Sequence, residues 1–122
     1  SRTPAFRARL GGGGAFPWPL ETKVLWLGVN QGATELAELA ERCRTACVRA
    51  GARVDGARFT PHLTLGRTRR AIDATRLLRV LDSYDGDGWL ADELVLVQSQ
   101  LRDRGNRYEV LHRFALPTGS RD

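Results

Sequence analysis

The stretch Phe59-Thr60-Pro61-His62-Leu63-Thr64-Leu65-Gly66-Arg67 decides how this chain is read. Apolar and polar residues alternate after a proline, which predicts a half-buried strand over residues 59–67. Side chains two apart on a strand share a face and lie about 6.5–7 Å apart. His62 and Thr64 therefore project together, while Leu63 and Leu65 anchor the opposite face. An imidazole beside a hydroxyl suits a phosphate, because one group moves protons and the other holds an oxygen. Strict alternation puts Arg67 on the leucine face, and a bend at Gly66 is needed to bring it round.

Upstream, Phe6 to Leu10 alternates and predicts a short strand. Gly11 to Gly14 follow. A phosphate-cradling loop needs a Gly-Lys-Ser/Thr ending before a helix, and Ala15-Phe16-Pro17-Trp18-Pro19 stands there instead. The glycines are read as a flexible turn or bulge. Val24 to Val29 is near-continuously apolar and predicts a central strand covered on both faces. Thr34 to Ala50 has an apolar stripe at helical spacing (Leu36, Leu39, Ala40, Cys43, Cys47, Ala50), with Thr34 as cap and Gly51 as stop.

Downstream, Asp73 caps a second predicted helix running through Leu81, with Leu77, Leu78 and Leu81 inward. Residues 85–88 form a loop. Strands over about 94–100 and 108–116 close the chain, joined by a hairpin loop at Arg102-Asp103-Arg104-Gly105-Asn106. Helices alternating with strands and a terminal hairpin give an α+β class, with helices over a largely antiparallel sheet. No internal repeat or linker interrupts residues 1–122, which are read as one domain.

The 122 residues suffice for one small core, and 42% hydrophobic with 27% charged residues is ordinary for a folded chain. No apolar run has the length of a membrane span, and no secretory leader is visible. The net charge is +5 and the pI about 10.2. All basic residues but Lys23 are arginine. That balance fits a polyanionic partner such as RNA, and equally fits an arginine-biased genome. Cys43 and Cys47 are read as small buried hydrophobes in a reducing cytoplasm. A zinc site from Cys43, Cys47, His62 and His112 lacks the usual close ligand spacing.

The ordered set of blocks resembles the 2H phosphoesterase superfamily, and within it the RNA 2′,3′-cyclic phosphodiesterase (2′-5′ RNA ligase) family. The resemblance rests on Leu10-Gly11-Gly12, the Val24–Val29 strand with Trp26, and Phe59-x-Pro-His-Leu-Thr-Leu-x-Arg67. It also rests on the terminal segment Glu93-Leu94-x-Leu96, Ser99-x-Leu101, Tyr108-Glu109-Val110 and Phe114-x-Leu116. It covers most of the chain. A lone His-x-Thr is weak evidence, and the ordered set is more specific.

The resemblance implies antiparallel sheets with helices packed outside, in two lobes that face each other across a cleft, each with a His-x-Thr motif. His62 matches the second motif. The first is expected upstream of Phe6, so the chain is read as incomplete at its N-terminus, or as a naturally short form. The absence of methionine agrees with either a processed end or a fragment. A preceding segment or a second chain would complete the cleft, and half of it would otherwise stand unpaired.

By the same resemblance, the reaction opens an RNA 2′,3′-cyclic phosphate to a 2′-phosphate, with 2′-5′ ligation as its reverse. The partners are RNA ends or cyclic nucleotides, and neither metal nor organic cofactor is required. Water attacks phosphorus in line with the departing 3′ oxygen, so proton acceptor and donor stand on opposite sides. Histidine titrates near pH 6.5 and serves either role, but one imidazole cannot occupy both sides. His62 would be the base that activates water, and an upstream histidine the acid. Thr64 would donate to a non-bridging oxygen, and Arg67 would neutralise phosphoryl charge.

Tyr108 is a candidate for stacking on a base, whereas Phe59 is assigned to core packing. His112 lies outside any His-x-Thr block and is not taken as the missing partner. Two other readings compete with an enzyme: a module that binds RNA ends without turnover, and a fragment inert until completed. Activity of the isolated chain is expected to be weak or absent.

Overall fold

The computed structural model describes residues 3–54, 58–101 and 105–118. Its elements are β1 (Phe6–Trp18), β2 (Glu21–Gln31), α1 (Ala33–Arg49), β3 (His62–Ile72), α2 (Thr75–Asp82), β4 (Trp89–Ala91), β5 (Glu93–Gln100) and β6 (Arg107–Ala115). The class is α+β, as the pattern predicts. The chain divides into two compact units, residues 7–89 and residues 1–6 with 90–122. No helix among the described residues is long and apolar enough to cross a membrane.

In the larger unit β2 lies between β1 and β3, antiparallel to both. The near-continuous apolar run of residues 24–29 earns this central place, and Leu27 is buried. Thr22 is buried at the β1–β2 turn, where its hydroxyl donates toward the carbonyls of Trp18 and Pro19 at 3.2 and 3.0 Å. Ala8, Leu39 and Ala74 are also buried in this unit, as are Gly11 and Gly86.

The glycine run is a bulged stretch of strand rather than a turn: β1 continues unbroken from Phe6 to Trp18. One extra residue falls between the pairs Leu10–Val29 and Gly13–Leu27. Gly12 takes φ +76° there, a conformation glycine adopts without steric cost. At Gly13 a Cβ would lie 2.7 Å from Cβ of Leu81 and 3.0 Å from Cδ2 of Leu78, so α2 packs closely against the Leu27 face of the sheet.

The motif strand begins at His62, three residues later than predicted, and extends to Ile72. Pro61 has no N–H to give to a ladder. Leu63 and Leu65 are 49% and 47% exposed rather than anchored, because β3 is an outer strand with a neighbour on one side only. Phe59 is 51% exposed and is no core residue.

α1 starts after Gly32 with φ +88°, not at a Thr34 cap. Gly51 ends the helix as expected, with φ +92° and its N–H on the Val48 carbonyl. Only the first half of the α1 stripe turns inward: Leu39 is buried, Cys43 half-buried, and Cys47 and Ala50 exposed. The two thiols are therefore not the buried pair that the stripe predicts. Leu77 of α2 is likewise exposed, while Leu78 and Leu81 are half-buried. Asp73 holds the start of α2 by accepting hydrogen bonds from the backbone N–H and the hydroxyl of Thr75, at 3.0 and 2.5 Å.

In the smaller unit β5 pairs with β6, antiparallel, as the terminal hairpin reading requires. Residues 102–104 of the predicted hairpin loop lie outside the described residues, as do 119–122. The short β4 has no counterpart in the sequence reading. Arg113 and Glu93 form an ion pair at 2.7 Å, and the Ala5 N–H donates to the Pro117 carbonyl at 2.8 Å. Phe6, Leu116 and Thr3 are buried here.

Candidate active site

The site is built on the β2–β3 ladder. Residues directly opposite each other in an antiparallel pair share a face. His62 stands opposite Gly28, Thr64 opposite Trp26, and Arg67 opposite Val24. Val24, Trp26 and Gly28 alternate along β2 and share one face. His62, Thr64 and Arg67 therefore share it too. The register explains how: Trp26 and Leu25 are adjacent, but their partners Thr64 and Gly66 are two apart. Leu65 is the extra residue of a β-bulge, and it resets the alternation. The bend required at Gly66 is this bulge, one residue earlier.

The His62 ring is fixed from two directions. Its Nδ1 lies 2.7 Å from the Thr60 carbonyl oxygen. A carbonyl only accepts, so Nδ1 carries a proton, and in the neutral ring the lone pair then lies on Nε2. On the other side the ring meets Phe16 edge-on, with centroids 5.1 Å apart and an 88° angle, and Trp26 at 5.5 Å. Phe16 and Trp26 touch each other at 5.0 Å. Thr64 is half-buried, whereas His62 and Arg67 are exposed. Arg67 makes no hydrogen bond or ion pair among the described residues, so its guanidinium is uncommitted.

This arrangement presents a proton acceptor, a hydroxyl donor and a fixed positive charge on one open sheet face. Those are the groups that an attacked phosphorus and its oxygens require. The His62 face belongs to the larger unit and Tyr108 to the smaller one. Tyr108 lies on β6, opposite Ser99, 65% exposed, with its hydroxyl accepting from Asn106 Nδ2 at 3.4 Å. His112 is also in that unit, against the Phe114 ring at 4.5 Å. No three His, Cys, Asp or Glu side chains gather to hold an ion among the described residues.

Sequence reasoning missed Phe16 and Gly14 as parts of the site, and saw Trp26 only as a point of resemblance. No local pattern marks them, since their proximity to His62 arises across three strands.

The sequence profile of the 2′-5′ RNA ligase superfamily matches residues 1–103. The chain belongs to that superfamily. Curated relatives of this superfamily member agree. An RNA 2′,3′-cyclic phosphodiesterase of Aeropyrum pernix is 32% identical over 114 residues, which cover 91% of this chain and 65% of the relative. The proteins of the same name from Aquifex aeolicus and Escherichia coli are 31% and 30% identical, with 91% and 94% of this chain covered and 61% of each relative. The chain thus spans 61–65% of the length of these relatives.

Solved structures give the same fold. A Thermus thermophilus protein superposes with a TM-score of 0.68 at 28% identity, over 97% of this chain and 64% of that one. Escherichia coli LigT, complexed with 3′-AMP, superposes with a TM-score of 0.68 at 27% identity, over 95% and 62%.

Proposed function

We propose that this chain carries the His62 side of an RNA 2′,3′-cyclic phosphodiesterase site. One observation supports it above all: the bulge at Leu65 puts His62, Thr64 and Arg67 on one face. The names of the curated relatives and the 3′-AMP bound by LigT point to the same substrate chemistry.

In the proposed reaction a water oxygen forms a bond to phosphorus as the bond from phosphorus to the 3′ oxygen breaks. His62 Nε2 takes the water proton. The ring becomes imidazolium, and its Nδ1–H bond to the Thr60 carbonyl strengthens as charge develops. The Thr64 hydroxyl donates to a non-bridging oxygen, and Arg67 neutralises phosphoryl charge. A proton reaches the 3′ oxygen from a second group on the far side of phosphorus, which His62 cannot reach. In this reading that group is the histidine of a second His-x-Thr motif. The products are a 2′-phosphate and a free 3′ hydroxyl; in the ligating reaction a 5′ hydroxyl attacks the cyclic phosphate in place of water, the same bond to the 3′ oxygen breaks, and a 2′-5′ linkage remains. Tyr108 is proposed as a stacking surface for a base, and the setting as cytoplasmic.

A binding module without turnover is the second reading, favoured by the single His-x-Thr block in these residues. Assay of 2′,3′-cyclic AMP hydrolysis separates the two. The enzyme reading expects turnover, weak in the isolated chain, that His62→Ala removes. Binding of 3′-AMP with no turnover in either this chain or a version extended at its N-terminus overturns it.

A further inference from the structure

We infer that Gly14, Trp26 and Phe16 are positioning residues for His62, and that this is why the glycine run includes position 14. The inference rests on the proposed role of His62 as the proton acceptor. Glycine inside a strand weakens it and marks a close approach of other groups. At Gly14, which stands opposite Trp26, an added Cβ would overlap the benzo ring of the indole at Cζ2, Cη2 and Cε2. The indole therefore lies directly on the backbone of β1. Gly28 flanks it on its own strand, where a Cβ would sit 3.4 Å from Cζ3. His62 is the residue opposite Gly28, so no side chain intervenes between indole and imidazole.

The indole is seated by ring and backbone contacts. Its Nε1 is buried and has no hydrogen-bond partner among the described residues. Buried polar atoms are nearly always paired, but the position of this ring is not set by a hydrogen bond to the protein. What the seated ring does is support His62: Trp26 lies 5.5 Å from the imidazole and 5.0 Å from Phe16, and Phe16 closes on the imidazole edge at 5.1 Å. An exposed histidine at a strand start is otherwise free to change rotamer. Two rings and the Thr60 carbonyl leave it one orientation and one tautomer. Orientation matters because a misplacement of about 1 Å costs roughly a hundredfold in rate.

Gly13 supplies the internal control. It has the same residue type one position earlier, but it faces Leu78 and Leu81 of α2 on the other side of the sheet. Gly14→Ala and Phe16→Leu are expected to lower kcat for 2′,3′-cyclic AMP about ten- to a hundredfold, with KM within about twofold. Phe16→Tyr, which keeps the ring, is expected to stay near the parent. Gly13→Ala is expected to lower the thermal midpoint while leaving kcat at the parent level.

Imidazole 15N–1H spectra give a readout that needs no turnover. The parent is expected to show His62 as the Nδ1–H tautomer with ring-current-shifted signals. Gly14→Ala and Phe16→Leu, folded by circular dichroism, are expected to show mixed tautomers and to lose those shifts. Parent-like His62 spectra in both variants overturn the inference, as does an equal loss of kcat in Gly13→Ala and Gly14→Ala. If His62→Ala hydrolyses the nucleotide as fast as the parent, the functional reading fails instead, and the spectra still decide the positioning.

Discussion

Arg67 shares a sheet face with His62, which lies five positions before it on the same strand. In a regular strand an odd separation puts two side chains on opposite faces. The extra residue at Leu65 makes the difference, because it lets Thr64 and Gly66 pair with neighbouring residues of β2. Removing Leu65 restores the alternation and turns Arg67 away. Both this deletion and Arg67→Ala are expected to weaken 3′-AMP binding about tenfold or more, the loss of a charged hydrogen bond of roughly 1.5–3 kcal/mol. Calorimetric titration checks it. A folded deletion variant with parent affinity would refute the assignment of Arg67.

His62 and Thr64 are expected to separate in kinetics. His62→Ala removes the proton acceptor and is expected to lower kcat about a hundredfold or more while nucleotide binding persists. Thr64→Val keeps the shape and removes the hydroxyl, with an expected loss of about three- to tenfold in kcat/KM. Parallel kcat and KM measurements with 2′,3′-cyclic AMP decide. A Thr64→Val loss as large as that of His62→Ala would mean the hydroxyl is more than an oxygen holder.

Asp73 makes the start of α2 acid-sensitive. Hydrogen bonds from the Thr75 side chain, then from its backbone N–H, hold the Asp73 carboxyl below its ordinary value. A lowered folded-state value means that the stabilisation is complete above the unfolded carboxyl's titration, near pH 4, and is lost as pH falls through the lower folded value. Asp73→Ala is expected to lower the thermal midpoint at pH 7, and the gap from the parent is expected to close well below pH 4. A gap that stays constant down to pH 2 would contradict this.

The two thiols are expected to differ in reactivity. Burial, with a smaller contribution from Cys47, pushes the Cys43 thiol up, whereas Cys47 is exposed. Thiolate is the reactive form, so Cys47 should alkylate first at pH 8. Peptide mass spectrometry after a short iodoacetamide pulse reads the order. Faster modification of Cys43 would run against it.

Local patterns reached far in this chain. The strand of the His-x-Thr block, the strand built on the apolar run at 24–29, the helix carrying the stripe at 36–47 and the paired terminal strands all depend on near neighbours, and the structure forms each of these elements. Errors gathered where a neighbour distant in sequence decides. Gly11 to Gly14 left turn and bulge both open by composition, and the structure makes the bulge, with Leu78 and Leu81 close against Gly13 and Trp26 against Gly14. Thr34 has the chemistry of a cap, yet Gly32 makes the turn two positions earlier. Phe59 and Leu77 are apolar enough for a core that does not reach them.

By itself the sequence singled out the groups proposed to move protons and hold phosphate oxygens in this superfamily member, since residue type and two-residue spacing suit that chemistry. Only tertiary structure decided that Arg67 joins them, that Thr60 selects the His62 tautomer, and that Trp26 and Phe16 wall the ring. The physical reason is pairing register. A single bulged residue inverts every later side chain on a strand, and no short-range pattern records where the partner strand will place it.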